Sequence, residues 1–405
     1  MVMKARGDVI GGRFPRPDPL EGLSGPAGRL PWVGLPLRER QERAMLEVGL
    51  SVADELPASG PQGRVLVRDD VTLTHQAVAA LIERGTNERR DIAWRAGGRT
   101  GGFAADIALG DGGPWLVWLA PGGDADTAAR IASAEPVEFD PQERLLEFAV
   151  PRSQFGADVL ELPLSDQVVL PTGHWLQLLW ANLLGLPPFL WRTLAGRNAV
   201  SVAWNVGTAV IASRSVDPRV VSGRLWRKGR NCRIHPSAVV EGCWLGDDVD
   251  IGANAVVRAS VLADGAAVEE LAMVEGCVFG PGARAQRMAM VKYSVLAERA
   301  VCGGVSQLSV LDRDAAVKLT ATLMDQGLGQ GVRVLAGGTL RRAPIGLAGV
   351  CVGEGSVVGA GVQIAPGRCV PPGLEILPPP GSVVSRIPDD VSGKVVVRDG
   401  SLVPL

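Results

Sequence analysis

Two adjacent carboxylates, Asp69 and Asp70, close the run Arg64-Val65-Leu66-Val67-Arg68. The run reads as a buried strand. Thr74 then suits the N-cap of a helix to about Arg84, with Ala77, Val78, Leu81 and Ile82 on its apolar side. Strand, acidic turn and helix make one unit of a parallel α/β sheet, in which ligands sit beyond the carboxyl ends of the strands. A solvated strand-end turn is the competing reading. Arg333, Arg341 and Arg342 flank Gly337-Gly338 and are candidates for an anion contact. Three histidines, His75, His174 and His235, are the candidate general bases. Asp325 is a carboxylate that could serve instead, though nothing singles it out. Arg214, Arg219, Arg224, Arg227, Lys228, Arg230 and Arg233 stand against one acid, Asp217, with Trp226 among them. They could meet a phosphate-bearing ligand or a partner's acidic face, or form a solvated collar. The run is too short and too poor in aromatics for a nucleic-acid site. Gly97-Gly98-Arg99-Thr100-Gly101-Gly102 lacks the Lys-Ser/Thr of a P-loop and reads as a flexible loop.

The strongest pattern in the chain is a repeat that must position such residues. Ile234, Val240, Leu245, Ile251, Val257, Leu262, Val268, Val274, Phe279, Ala285, Val291 and Leu296 advance by six, five and six residues, a register of 17. The residue four places after each is also apolar, from Ala238 and Trp244 to Val295 and Ala300. Neither a 3.6-residue period nor plain alternation produces this. Three short strands per coil do, each predicted to bury one aliphatic and one small side chain, which makes a parallel β-helix of hexapeptide repeats. The pattern returns at Val352, Val358, Ile364, Val370 and Ile376. Between them the register blurs, so residues 303–349 are expected to hold irregular coils and a protruding loop. Lys394 to Arg398, Asp399-Gly400 and Ser401 to Leu405 read as a hairpin with a type I′ turn. It would cover the open end of the last coil.

Length and composition set the bounds. The chain has 405 residues and a net charge of −2, so bulk charge gives no reason to expect nucleic acid or an acidic membrane. Charges appear within the first eight residues and no apolar leader is visible, which points to a cytoplasmic protein. All six cysteines lie in the C-terminal half without a CxxC pair, and read as reduced packing residues. All ten tryptophans precede residue 245, so the two halves differ in material. Val168 to Trp191 carries no charge, but Pro171, His174, Gln177, Asn182 and Pro187-Pro188 interrupt it. It reads as an inter-domain helix ending near residue 186, with no integral membrane span.

Several segments resemble a known family. Pro31-Trp32-Val33-Gly34-Leu35-Pro36-Leu37 is similar to the run that enters the first long helix of sugar-1-phosphate nucleotidyltransferases. Residues 64–72 resemble their strand ending in a metal-holding Asp, to which Asp70 is the closest match. Residues 174–184 resemble their connector helix. Ile234-His235-Pro236-Ser237-Ala238-Val239-Val240-Glu241-Gly242 resembles the opening coil of left-handed hexapeptide acyltransferases and sugar nucleotidyltransferases. Together these are the parts of bifunctional N-acetylglucosamine-1-phosphate uridyltransferase/acetyltransferases.

The resemblance implies an α/β plus all-β chain. A shortened, degenerate nucleotidyltransferase-like α/β domain spans residues 1–165, and a connector helix and linker 166–228. A left-handed parallel β-helix follows over 229–385, interrupted at 303–349, and a hairpin over 386–405. It implies Asp70 and Arg13 as catalytic residues, with Asp70 holding Mg²⁺ if the domain is active and no cofactor otherwise. Asp69, with Arg333, Arg341 and Arg342 as the anion contacts read above, would then meet a nucleotide sugar or sugar phosphate. It also implies a homotrimer. The departures cut against catalysis. Where the family carries a Gly-rich G-x-G-T-R loop and a Pro-Lys, this chain offers only Gly11-Gly12-Arg13. The family's acetyltransferase histidine has no counterpart in the middle coils. The expectation is a sugar-nucleotide-pathway protein with weakened or lost pyrophosphorylase activity. A non-catalytic ligand-binding or scaffold protein and a hexapeptide acyltransferase are the alternatives.

Overall fold

The computed structural model describes the chain apart from residues 1–8, 17–19, 54–61, 123–125, 150–158, 197–198, 328–330, 379–380, 382–383, 385–386, 388–391, 399–400 and 405. The N-terminal half is built on a six-stranded sheet. Its order is Ser51–Val52, Ile10–Phe14, Arg64–Arg68, Leu116–Leu119, Ile92–Ala96 and Glu135–Phe139. Ile10–Phe14 runs parallel to both neighbours, and Leu116–Leu119 antiparallel to both of its own. Helix Leu37–Glu47 packs beside this sheet, and so does His75–Glu88, one turn longer than its pattern suggests. Trp118, Val65, Val67, Leu81 and Met45 close the core between them. Thr74 stands at the N-cap, but its hydroxyl donates to Asp166 O and not to the helix.

The glycine-rich segment 97–102 is not a loop. It opens the helix Gly98–Ala108. The carboxylate of Glu143 accepts from the Thr100 backbone N–H at 2.6 Å, supplying an acceptor for the first turn. The missing N-cap side chain is thus replaced from another strand.

The C-terminal half is a three-sided prism. Eight parallel strands stack on each of two faces and seven on the third, among the described residues. Ile251, Val268, Ala285, Cys302, Val317 and Val358 form one buried column. Val257, Val274, Val291, Ser306 and Leu323 form another, and Leu245, Leu262, Phe279, Leu296, Leu311, Val352 and Val370 the third.

The four-place spacing of inner residues holds on two of the three edges. On six-residue edges the residue four places on is inside, as Val249, Ala255, Ala266, Ala272, Ala283 and Ala289 are. A five-residue edge is one residue shorter, so its corner arrives one place earlier. There Cys243, Ser260, Cys277 and Ser294 are the small inner residues, all fully buried. The Ser260 hydroxyl donates to Arg258 O and accepts from Cys277 N, so the buried oxygen is satisfied. Trp244, Val261, Val278 and Val295 consequently point outward, against the N-terminal half.

The stretch after residue 303 is more regular than its sequence. Val291 pairs with Ser306 and Leu296 with Leu311, a coil two residues short. Gly303-Gly304 makes the tightened corner; a Cβ on Gly304 would lie 2.1 Å from Ala321 O. Regular strands continue to Leu323. Only then does the chain leave the prism, and the hairpin of Arg333–Ala336 with Thr339–Arg342 projects from it. At the end of the chain Val395–Arg398 pairs antiparallel with Ser401–Pro404; Asp399-Gly400 lies outside the described residues.

Helix Trp175–Leu194 lies between the halves and runs through Pro187 and Pro188, where the sequence predicts a stop near 186. Its second half is anchored by Leu186, Leu190 and Leu194 in the same apolar cluster as Val261, Val278 and Val295. That burial offsets the hydrogen bonds that two prolines remove. Asn182 stitches the helix to Pro31–Trp32: its Oδ1 accepts from Val33 N and its Nδ2 donates to Pro31 O.

Candidate functional site

The carboxyl end of strand Arg64–Arg68 carries a buried cluster of two arginines and three aspartates. Alternation along the strand buries Val65 and Val67 on one sheet face and Leu66 on the other, and leaves Arg68 at the tip. Asp70 is fully buried. Its Oδ1 accepts from Arg68 Nε at 2.5 Å, and its Oδ2 from Arg68 Nη2 at 3.1 Å and Arg16 Nη1 at 2.9 Å. Arg68 reaches on to Asp111, with Nη1 3.0 Å from Oδ1 and Nη2 on Oδ2. Asp69 Oδ1 accepts the backbone N–H of Arg16.

Gly173 makes room for this arrangement. A Cβ there would sit 1.0 Å from Arg16 Nη1. The guanidinium passes across bare backbone to reach Asp70.

Electrostatics follow from burial and pairing. Desolvation pushes the Asp69 carboxyl above the usual aspartate range, against the Arg16 backbone hydrogen bond. Burial acts on Asp111 in the same sense, but the hydrogen bond and charge of Arg68 outweigh it and hold that carboxyl below the usual range. Burial opposes the charge on Arg68, and its bonds to Asp111 and Asp70 more than restore it. Arg68 and Arg16 offset Asp70 and Asp111, and Asp69 is the one acid in excess.

The prism's hairpin closes on the rim of this cluster. His174 Nε2 lies 3.1 Å from Leu335 O, while its Nδ1 accepts from Leu176 N and caps the connector helix. Glu21 accepts from Gly337 N through both oxygens, each at 3.1 Å. The Arg341 guanidinium lies against Gly110, next to Asp111 in sequence. Burial lowers the His174 pKa to about 4. The ring is neutral and both nitrogens are engaged.

The sequence candidates are therefore dispersed. Asp69 and Asp70 share the cluster. Arg13 lies on strand Ile10–Phe14, and its Nη1 donates to Glu42 at 3.0 Å. Arg333, Arg341 and Arg342 are exposed on the hairpin. Asp325 is half-buried beyond the last strand before the hairpin, its pKa raised by burial. His75 meets Arg192 and Glu47, and exposed His235 meets Ser237. Sequence reasoning missed Arg16, Arg68, Asp111, Gly173 and Glu21. Arg68 was legible as a charge closing an apolar strand beside two acids; the others depend on long-range contacts.

The Mg²⁺ that the resemblance attaches to Asp70 does not fit these residues. Guanidinium groups occupy both Asp70 oxygens, and among the described residues no group of three His, Cys, Asp or Glu side chains is placed to hold a metal ion. No helix among the described residues is long and apolar enough to cross a membrane.

Comparison with known proteins leaves the family open. No family model matches the chain, and no curated protein matches it. Among solved structures it is similar to a Bacillus cereus protein described as a "putative acetyltransferase". The identity is 14% and the TM-score 0.19, with 38% of this chain and 79% of that one covered. A likeness of that size carries no assignment of activity.

Proposed function

We propose that this chain is a non-catalytic relative of the sugar-1-phosphate nucleotidyltransferases, a ligand-binding or scaffold protein whose α/β domain is locked onto a left-handed parallel β-helix. The observation that carries the reading is the state of Asp70. Both of its oxygens are neutralised by Arg68 and Arg16, in full burial, where a pyrophosphorylase needs a carboxylate free to hold a metal. Arg13 is engaged by Glu42. The ligand class is a nucleotide sugar or sugar phosphate, with exposed Arg333, Arg341 and Arg342 as the cations that would meet its phosphates.

An acyltransferase reading fares less well. It requires a histidine poised over an open site. His174 is buried and doubly hydrogen-bonded, and His235 lies on the first coil.

The test is an incubation of the full chain with sugar 1-phosphates, nucleoside triphosphates and Mg²⁺, read for pyrophosphate. No release is expected, together with a rise in melting temperature on adding nucleotide sugars that is lost in Arg341→Ala/Arg342→Ala. Pyrophosphate release by the wild-type chain would refute the proposal. The resemblance also implies a trimer, which sedimentation of the purified chain tests directly.

A further inference from the structure

Helix Ala199–Ser213 has 15 residues and no charged one. Val202, Val206, Ala209 and Val210 turn inward onto the cluster between the two halves. Val200, Trp204 and Ile211, spaced by four and seven, form a ridge on the other side and are 80%, 73% and 78% exposed. A helix apolar on both faces is normally covered on both. This one is covered on one. Trp191 before it and Val216 and Val220 after it are also exposed. Several large apolar side chains left in the open on one helix point to an interaction site.

Cations follow the helix along the chain, with Asp217 the one acid among them. Arg214, Arg224, Arg227 and Lys228 are exposed, and none of the four forms an ion pair among the described residues. Arg230 and Arg233 are engaged by Asp247 and Asp250 and are set aside. An apolar ridge with an exposed Trp and an excess of positive charge beside it matches the face of an interfacial helix.

We propose that this face docks onto an anionic lipid surface. The helix, roughly 22 Å long, lies flat, with Val200, Trp204 and Ile211 seated among the headgroups. Arg214, Arg224, Arg227 and Lys228 meet the acidic phosphates. A second copy of this chain suits the face less. A symmetric contact across this patch would set its cations against their own images.

The test sediments the full-length chain with phosphatidylcholine vesicles, and with vesicles one third phosphatidylglycerol. Binding to the anionic vesicles alone is expected, weakening as salt rises. Trp204→Glu and Ile211→Glu, both at exposed positions, each lower partitioning at least tenfold while keeping the wild-type melting temperature. Arg227→Gln and Lys228→Gln each lower it roughly fivefold. Failure of the wild-type chain to sediment with anionic vesicles would overturn the proposal, and so would undiminished binding by Trp204→Glu. A self-associated wild-type chain that Trp204→Glu dissociates in the absence of lipid would overturn it too, and assign the ridge to a second copy.

Discussion

Replacing Asp70 by alanine separates a structural counter-charge from a ligand-binding one. The side chain is fully buried and accepts three hydrogen bonds from two guanidinium groups. Removing one member of a buried ion pair typically costs about 3–5 kcal/mol, because the other charge is left uncompensated. Here Arg68 keeps both of its bonds to Asp111, so the strain falls chiefly on Arg16. The expected loss therefore lies at the lower end, about 3 kcal/mol. With a guanidinium slope of about 2–6 kcal/mol per molar, the midpoint falls by about 0.5–1.5 M. Tryptophan fluorescence is the probe, since eight of the ten indoles lie at or before residue 204, outside the prism. Removing Arg16 as well, in Asp70→Ala/Arg16→Met, should recover part of the loss, because the two side chains are coupled. The reasoning is refuted if Asp70→Ala leaves the midpoint unchanged or raises it. A carboxylate held ready for a metal behaves that way, since its own repulsion is relieved.

Other tests address the same assembly. Gly173→Ala puts a methyl group where Arg16 crosses and ejects the guanidinium, lowering stability by about 3 kcal/mol; chemical denaturation reads it, and an unchanged midpoint would mean that Arg16 finds another route. His174 has a folded pKa of about 4 against about 6.5 unfolded. The unfolded chain therefore binds the proton first, and the contribution is complete above pH 6.5 and lost as pH falls towards 4. From pH 7 to pH 5 the loss is about 2 kcal/mol, and His174→Gln should remove that dependence. Among the cysteines, Cys369 is exposed, with its pKa lowered by the hydrogen bond from Cys351, and should react first with a thiol reagent. Cys243, Cys277 and Cys302 are buried, their thiols pushed up to about 12, and should react only on unfolding; mass mapping of the label decides.

How much was legible differs from element to element. The inner aliphatic columns were, because each coil must hide one row of side chains and the row repeats at fixed spacing. The outward position of Trp244, Val261, Val278 and Val295 was not. An apolar residue at a regular interval looks the same whether it faces the prism's core or a second body packed on its side. The glycine-rich start of helix Gly98–Ala108 is not legible as helix, because the group at its first turn, Glu143, comes from a distant strand. The prolines of the connector predict a stop, because local propensity carries no information about the burial that overrides it.

The sequence alone determined the prism. Its period and its aliphatic columns are local and repeated, so stacking neighbouring coils is the one way to bury them. It also determined that a strand ends in acids at Asp69 and Asp70. Only the tertiary structure decided what those acids do. Arg16, Gly173 and Asp111 reach the cluster from three separate segments, and a carboxylate takes its role from the charge beside it. Asp70 faces two guanidinium groups in the dry interior, and they take both of its oxygens.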